Sequence, residues 1–150
     1  GESVVENWYI MGKRMKLKGR KIFAGKASGE ALVTAMGISF FGGVDPHSGV
    51  VVEKNHELEG QSIAGKILVF PTGKGSTVGS YTLYRLKSNG KAPSAIINAE
   101  CETITAVGCI MAEIPCVDQI PVEQLKSGQE IAVDGGKGTV EVLTGDNHAA

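Results

Sequence analysis

The run Ile67-Leu-Val-Phe70 contains no polar residue and passes through Pro71 into Thr72-Gly-Lys-Gly-Ser-Thr-Val-Gly-Ser-Tyr81. A short apolar run without alternation fits a central strand buried on both faces, which needs a packed layer on each side of it. Ala95-Ile-Ile-Asn98 repeats the pattern, ahead of an almost wholly apolar helical stretch at about 103–112 and a strand at 115–118. Strand, helix and strand in that order predict parallel pairing through a right-handed crossover. The apolar helix is either buried on all sides or covered in part by another chain. On the helix expected after Ser76, Gly79, Leu83 and Leu86 share one face, which would let the helix lie close to the sheet at Gly79; Val78, Tyr81 and Arg85 share the other.

Around this core the pattern alternates. Ile22, Ala24, Ala27, Ala31 and Val33 predict two short strands broken at Ser28-Gly29, and residues 38–41 and 50–52 predict strands on either side of the turn cluster 42–49. Residues 130–133 and 139–142, around Asp134-Gly-Gly-Lys-Gly138, read as a closing hairpin. The fold class is therefore mixed α/β, a parallel strand-helix-strand core joined to a mostly antiparallel second layer. A chain of 150 residues is expected to be one domain. Residues 1–14 lack periodicity and read as a disordered tail or expression remnant, which leaves the domain at 15–145.

Charge and cysteine content exclude several functions. The net charge of −1 gives the protein as a whole no electrostatic case for nucleic acid. Seven of the fifteen basic residues still fall between Lys13 and Lys26, a run that reads as a solvated arm. Neither a membrane span nor a signal peptide is recognisable, so a cytoplasmic protein is expected. Cys101, Cys109 and Cys116 are spaced unlike the compact iron–sulfur ligand runs, and free buried thiols are expected, with no metal held by this chain.

The segment after Phe70 has the makings of a site. Gly73 and Gly75 permit a tight turn whose N–H groups converge on an anion, and Ser76 stands at the expected helix start beside unpaired N–H groups and the positive end of the dipole. Two readings fit the same residues: a loop that stabilises an anion or a serine oxyanion, or an ordinary serine N-cap. A P-loop is excluded because Lys74 precedes the second glycine, and a hydrolase elbow because Gly79 lies three residues beyond Ser76.

Phe41-Gly-Gly-Val-Asp-Pro46, Gly60-Gln-Ser-Ile-Ala-Gly-Lys66, the segment Phe70 to Tyr81 and Ala95-Ile-Ile-Asn98 together resemble the small subunit of the aconitase X family, over about residues 18–143. The resemblance implies a swivelling β/β/α domain and a separate large subunit that carries an iron–sulfur cluster, in a heterodimer or larger assembly without which this chain is inactive. The reaction it implies is loss of water from a phosphorylated hydroxy acid, mevalonate 5-phosphate giving an anhydromevalonate phosphate. Gly73-Lys-Gly-Ser-Thr77 is also similar to the Gly-x-Gly-Ser-Ser segment of aconitase swivel domains, whose first serine is the catalytic base; Ser76 takes that place. Val78 stands where those enzymes carry an arginine for a substrate carboxylate, so a phosphate held by Gly73, Lys74, Gly75 and Thr77 fits in place of a citrate-like ligand. Asp45 and Asn98 are further substrate-binding candidates, with turn capping and strand-end hydrogen bonding as their plainer roles. A hydroxyproline is the alternative substrate within the family, and a non-catalytic phosphate-binding domain is the alternative outside it.

Overall fold

The computed structural model describes residues 9–11 and 14–144. The strands are β1 (Tyr9–Met11), β2 (Arg14–Lys18), β3 (Arg20–Phe23), β4 (Lys26–Val33), β5 (Ile67–Phe70), β6 (Ala95–Asn98), β7 (Cys116–Asp118), β8 (Glu130–Asp134) and β9 (Thr139–Thr144). Two helices of three turns accompany them, α1 (Gly79–Ser88) and α2 (Thr103–Ala112). Among the described residues the strands form one continuous sheet in the order β1-β2-β9-β8-β4-β5-β6-β7-β3.

β4 joins two kinds of pairing. Its first part, Lys26 to Glu30, runs antiparallel to β8, and its second, Ala31 to Val33, runs parallel to β5. Beyond β8 the ladder stays antiparallel through β9, β2 and β1. Beyond β5 it stays parallel through β6 and β7, and β3 closes that edge antiparallel to β7.

Period-two alternation divides the apolar side chains between two cores. Ile67, Val69, Ala95, Ile97 and Val117 share a core with Met15, Leu17, Ile131, Val133, Val140 and Val142, so the antiparallel layer packs on one face of the parallel one. Leu68, Phe70, Ile96 and Cys116 point the other way, onto Leu83 and Leu86 of α1 and Cys109 and Ala112 of α2. The result is the expected β/β/α stack, with β5 and β6 buried on both faces.

Several local expectations are corrected. β4 is unbroken at Ser28-Gly29; the interruption lies at Ala24-Gly25, where Gly25 takes a φ of +128°. The basic run is not an arm: Arg14–Lys18 is an inner strand, with Met15 and Leu17 buried and the intervening lysine half-buried. Of the expected loose segment, Tyr9–Met11 and Arg14 lie in strands, while residues 1–8, 12 and 13 fall outside the described residues. Residues 38–41 form no strand. Ile38 makes a single bridge to Gly73, and Phe40–Gly43 is a short helical turn interrupted at Gly42 by a φ of 84°. Val50 and Val51 likewise make only isolated bridges, to Ser62 and Val44. Gly79 faces α2 rather than the sheet, since a Cβ there would meet Ile104 Cγ2 at 3.2 Å.

Candidate active site

The glycine loop leaves the end of β5 between two supports. Below it, fully buried Asn98 donates from Nδ2 to the Phe70 carbonyl at 2.9 Å, and the Pro71 carbonyl accepts from Ala99 N and Glu100 N at 3.0 and 2.9 Å. Beside it, Lys74 N donates to the Ile38 carbonyl at 2.9 Å. A Cβ at Gly73 would collide with Glu102 Oε1 and Thr105 Oγ1, and one at Gly75, where φ is +95°, would collide with Ser39 Oγ. Both glycines are therefore steric requirements of the loop's path.

Ser76 is exposed at the tip of this loop. Its Oγ accepts from Val78 N at 3.1 Å and its carbonyl accepts from Gly79 N at 2.9 Å. Ser76 thus caps a turn, and α1 starts three residues later than the sequence suggests, at Gly79. The N–H groups of Gly75, Ser76 and Thr77 have no acceptor among the described residues. No acidic residue occupies the first turn of α1.

The neighbouring helix terminus is closed. Glu102 is the N-cap of α2, and its carboxylate accepts from Ile104 N at 2.7 Å and Thr105 N at 2.9 Å. Its charge already satisfies the positive end of that helix. At the start of α1 the N–H groups of Val78, Gly79 and Ser80 are already bonded, so the ones left to receive an anion are those of the preceding loop, Gly75, Ser76 and Thr77.

The remaining candidates separate into those at the loop and those apart from it. Thr77 is exposed next to Ser76, and its carbonyl accepts from Ser80 N at 3.3 Å. Lys74 is not free: its Nζ lies 3.1 Å from Glu53 Oε2, both side chains partly exposed. Asn98 Oδ1 and Thr105 Oγ1 are buried beneath the loop without a hydrogen-bond partner. Asp45 is elsewhere. Its oxygens accept from His47 N at 3.1 Å and Ser48 Oγ at 2.8 Å, and those two bonds, the backbone one foremost, hold its carboxyl below the usual range. Its turn docks on the far end of α1, where Asn89 Nδ2 donates to the Pro46 carbonyl at 2.7 Å. A rise of about 1.5 Å per residue puts that end roughly 15 Å from Gly79. The structure gives Asp45 the turn-capping role and does not bring it to Ser76.

Glu102, Thr105, Ser39 and Glu53 border the loop and were not singled out in the sequence. The only local signal was a carboxylate just ahead of the apolar helix, at a position where shorter Asp, Asn, Ser and Thr are the usual caps.

The cysteines do not fit a cluster's ligand set. Cys101 Sγ lies 3.8 Å from Cys116 Sγ, and the contact, with burial, pushes the Cys101 thiol well up. Cys116 is lowered by Cys101, but its bond to Cys109 and its burial outweigh that and raise it. Protonated buried thiols are poor ligands, and among the described residues no group of three or more His, Cys, Asp or Glu is placed to hold a metal ion. Among the described residues no helix is long and apolar enough to cross a membrane.

A family model for the Aconitase X swivel domain matches residues 16–142, which include both layers of the sheet and the whole loop. The phosphomevalonate dehydratase small subunit of Thermococcus kodakarensis is 58% identical over 129 residues, 86% of this chain and 97% of that protein. The protein of the same name from Methanosarcina acetivorans is 56% identical over 132 residues, 86% of this chain and 92% of that one. A crystal structure of Thermococcus kodakaraensis aconitase X in its holo-form matches with a TM-score of 0.85 and 57% identity, covering 86% of this chain and 98% of that chain. By fold, by sequence and by the span that is matched, this chain belongs to the aconitase X swivel domain family.

Proposed function

We propose that the chain is the small subunit of a heteromeric dehydratase that removes water from mevalonate 5-phosphate, with Ser76 as the base. The observation that carries this reading is the loop ahead of α1: an exposed serine beside the unpaired N–H groups of Gly75 and Thr77, next to a helix terminus already occupied by Glu102. The names of its relatives support the reaction class and the role as a small subunit.

A serine hydroxyl is a very weak base, so its oxygen must bear negative charge, at least transiently, when it takes the proton from the substrate carbon. Val78 N already donates to that oxygen, and the bond strengthens as the charge develops. The free N–H groups of Gly75 and Thr77 supply further positive potential for the oxyanion or for a substrate phosphate. Lys74 reaches the same phosphate by exchanging its Glu53 partner for it. The carbanion's electrons expel the β-hydroxyl. No residue at this loop is suited to accept that hydroxyl, and its acceptance falls to the large subunit. Phe41, Val78 and Tyr81, 53%, 44% and 63% exposed, are apolar side chains near the loop that a partner would cover.

In the assembled enzyme, Ser76→Ala is expected to lower kcat by a factor of about 10² to 10⁴ with little change in substrate binding. A serine that only caps its turn would leave kcat near normal and cost about 1 kcal/mol of stability. Steady-state kinetics and thermal melts on this variant decide between them.

A further inference from the structure

We propose that Glu102 is the positioning residue of the Ser76 loop, working through the length of its side chain rather than through its role as a helix cap. The kinetic part rests on the reading of Ser76 as the base; the geometric part does not.

A carboxylate one methylene shorter would suffice to cap α2, and Asp is the better cap. Glu102 caps it with both oxygens, at 2.7 and 2.9 Å, and the extra length carries the carboxylate against the loop. Oε1 would collide with a Cβ on Gly73, so the carboxylate packs closely against the loop at that residue. Thr105 Oγ1 would meet the same Cβ, and it has no hydrogen-bond partner. Gly73 is three residues ahead of Ser76, and at the intervening Gly75 a Cβ would collide with Ser39 Oγ. The path of the loop is thus held between Glu102 and Ser39.

Glu102 is itself anchored from a distance. The preceding residue, Cys101, donates its N–H to Asp118 Oδ2 at 2.9 Å. Asp118, fully buried at the end of β7, also accepts from Arg20 Nε at 2.9 Å and Nη2 at 2.7 Å. A fork of that kind fixes orientation as well as distance. The arrangement also answers an electrostatic objection, since an anionic side chain beside an anion-binding loop would repel its ligand. Here the charge is spent on the two N–H groups of α2 and on its dipole, and the α1 terminus keeps its own.

The test compares Glu102→Asp with Glu102→Gln. Asp keeps the charge and the cap but withdraws from Gly73; Gln keeps the length but loses the charge. If Glu102 positions the loop, Glu102→Asp lowers kcat of the assembled enzyme by roughly 10-fold to 10²-fold, the scale of a small misplacement, with KM little changed. Glu102→Gln then retains more kcat than Glu102→Asp. In two-dimensional NMR of the full chain, the Gly73, Gly75 and Ser76 amides shift more in the Asp variant than in the Gln variant. The reverse order, in kinetics and in shifts, would overturn the proposal and leave Glu102 as a cap. Ser76→Ala is measured alongside: if it keeps normal kcat, the base reading fails, while the amide shifts still decide whether Glu102 sets the loop.

Discussion

Glu57 illustrates how a single surface carboxylate ties two loops together. It accepts from the Thr34 hydroxyl and from Ala35 N at 2.6 Å, and these bonds, the hydroxyl's first, hold its carboxyl below the usual range. A depressed folded-state value means that the stabilisation is complete above the unfolded value, near 4.5, and is lost as the pH falls through the folded one. Thermal melts over about pH 3 to pH 7 are expected to show a steeper acid-side fall for the parent than for Glu57→Gln. Identical slopes would mean that the contact contributes nothing. At this scale the sequence was legible where a residue's neighbours are local. Ser76, Gly73 and Gly75 lie together because they are joined by a few bonds. The Lys74–Glu53 and Glu57–Thr34 pairs bring together residues from separate segments, and nothing in the local pattern announces them.

Among the elements, the two helices approach each other closely at Gly108 of α2. A Cβ added there would lie 2.5 Å from Leu83 Cδ1 of α1, and Leu83 is completely buried. Gly108→Ala is expected to destabilise the domain by about 1–3 kcal/mol, the usual range for overpacking, despite the better helix propensity of alanine. Urea unfolding measures it, and an unchanged midpoint would mean that the helices can slide apart without cost. β5 and β6 were readable because strands buried on both faces announce themselves as unbroken apolar runs. β2 was hidden by its composition. Its lysines and arginine form the conspicuous pattern, while the alternating Met15 and Leu17 that bury it are only two residues long as a signal. Residues 38–41 had the composition of a strand, but the glycines that follow let Phe40 turn inward onto Phe70, with ring centroids 5.9 Å apart.

At the scale of the whole molecule, the helical layer leaves apolar side chains uncovered. Tyr84 on α1 and Ile110 on α2 are 47% and 53% exposed, which adds to the apolar surface of Val78 and Tyr81. Replacing Tyr81 and Arg85 together by alanine is expected to weaken association with the proposed large subunit by about 1–4 kcal/mol, as for an interface anchored by aromatic and arginine side chains, without lowering the melting temperature of the free chain. Pull-down at full strength would place the interface on another face. The sheet has a consequence of its own for how the protein is made. Met15 pairs with Val142 and Leu17 with Val140, so β2 finds its inner neighbour only when β9 exists. During synthesis the early strand must wait, with its apolar side uncovered, until residues 139–144 have left the ribosome. The parallel core can assemble before then, but the second layer cannot, and a nascent chain stalled before residue 139 would present Met15 and Leu17 to chaperones rather than to a finished protein.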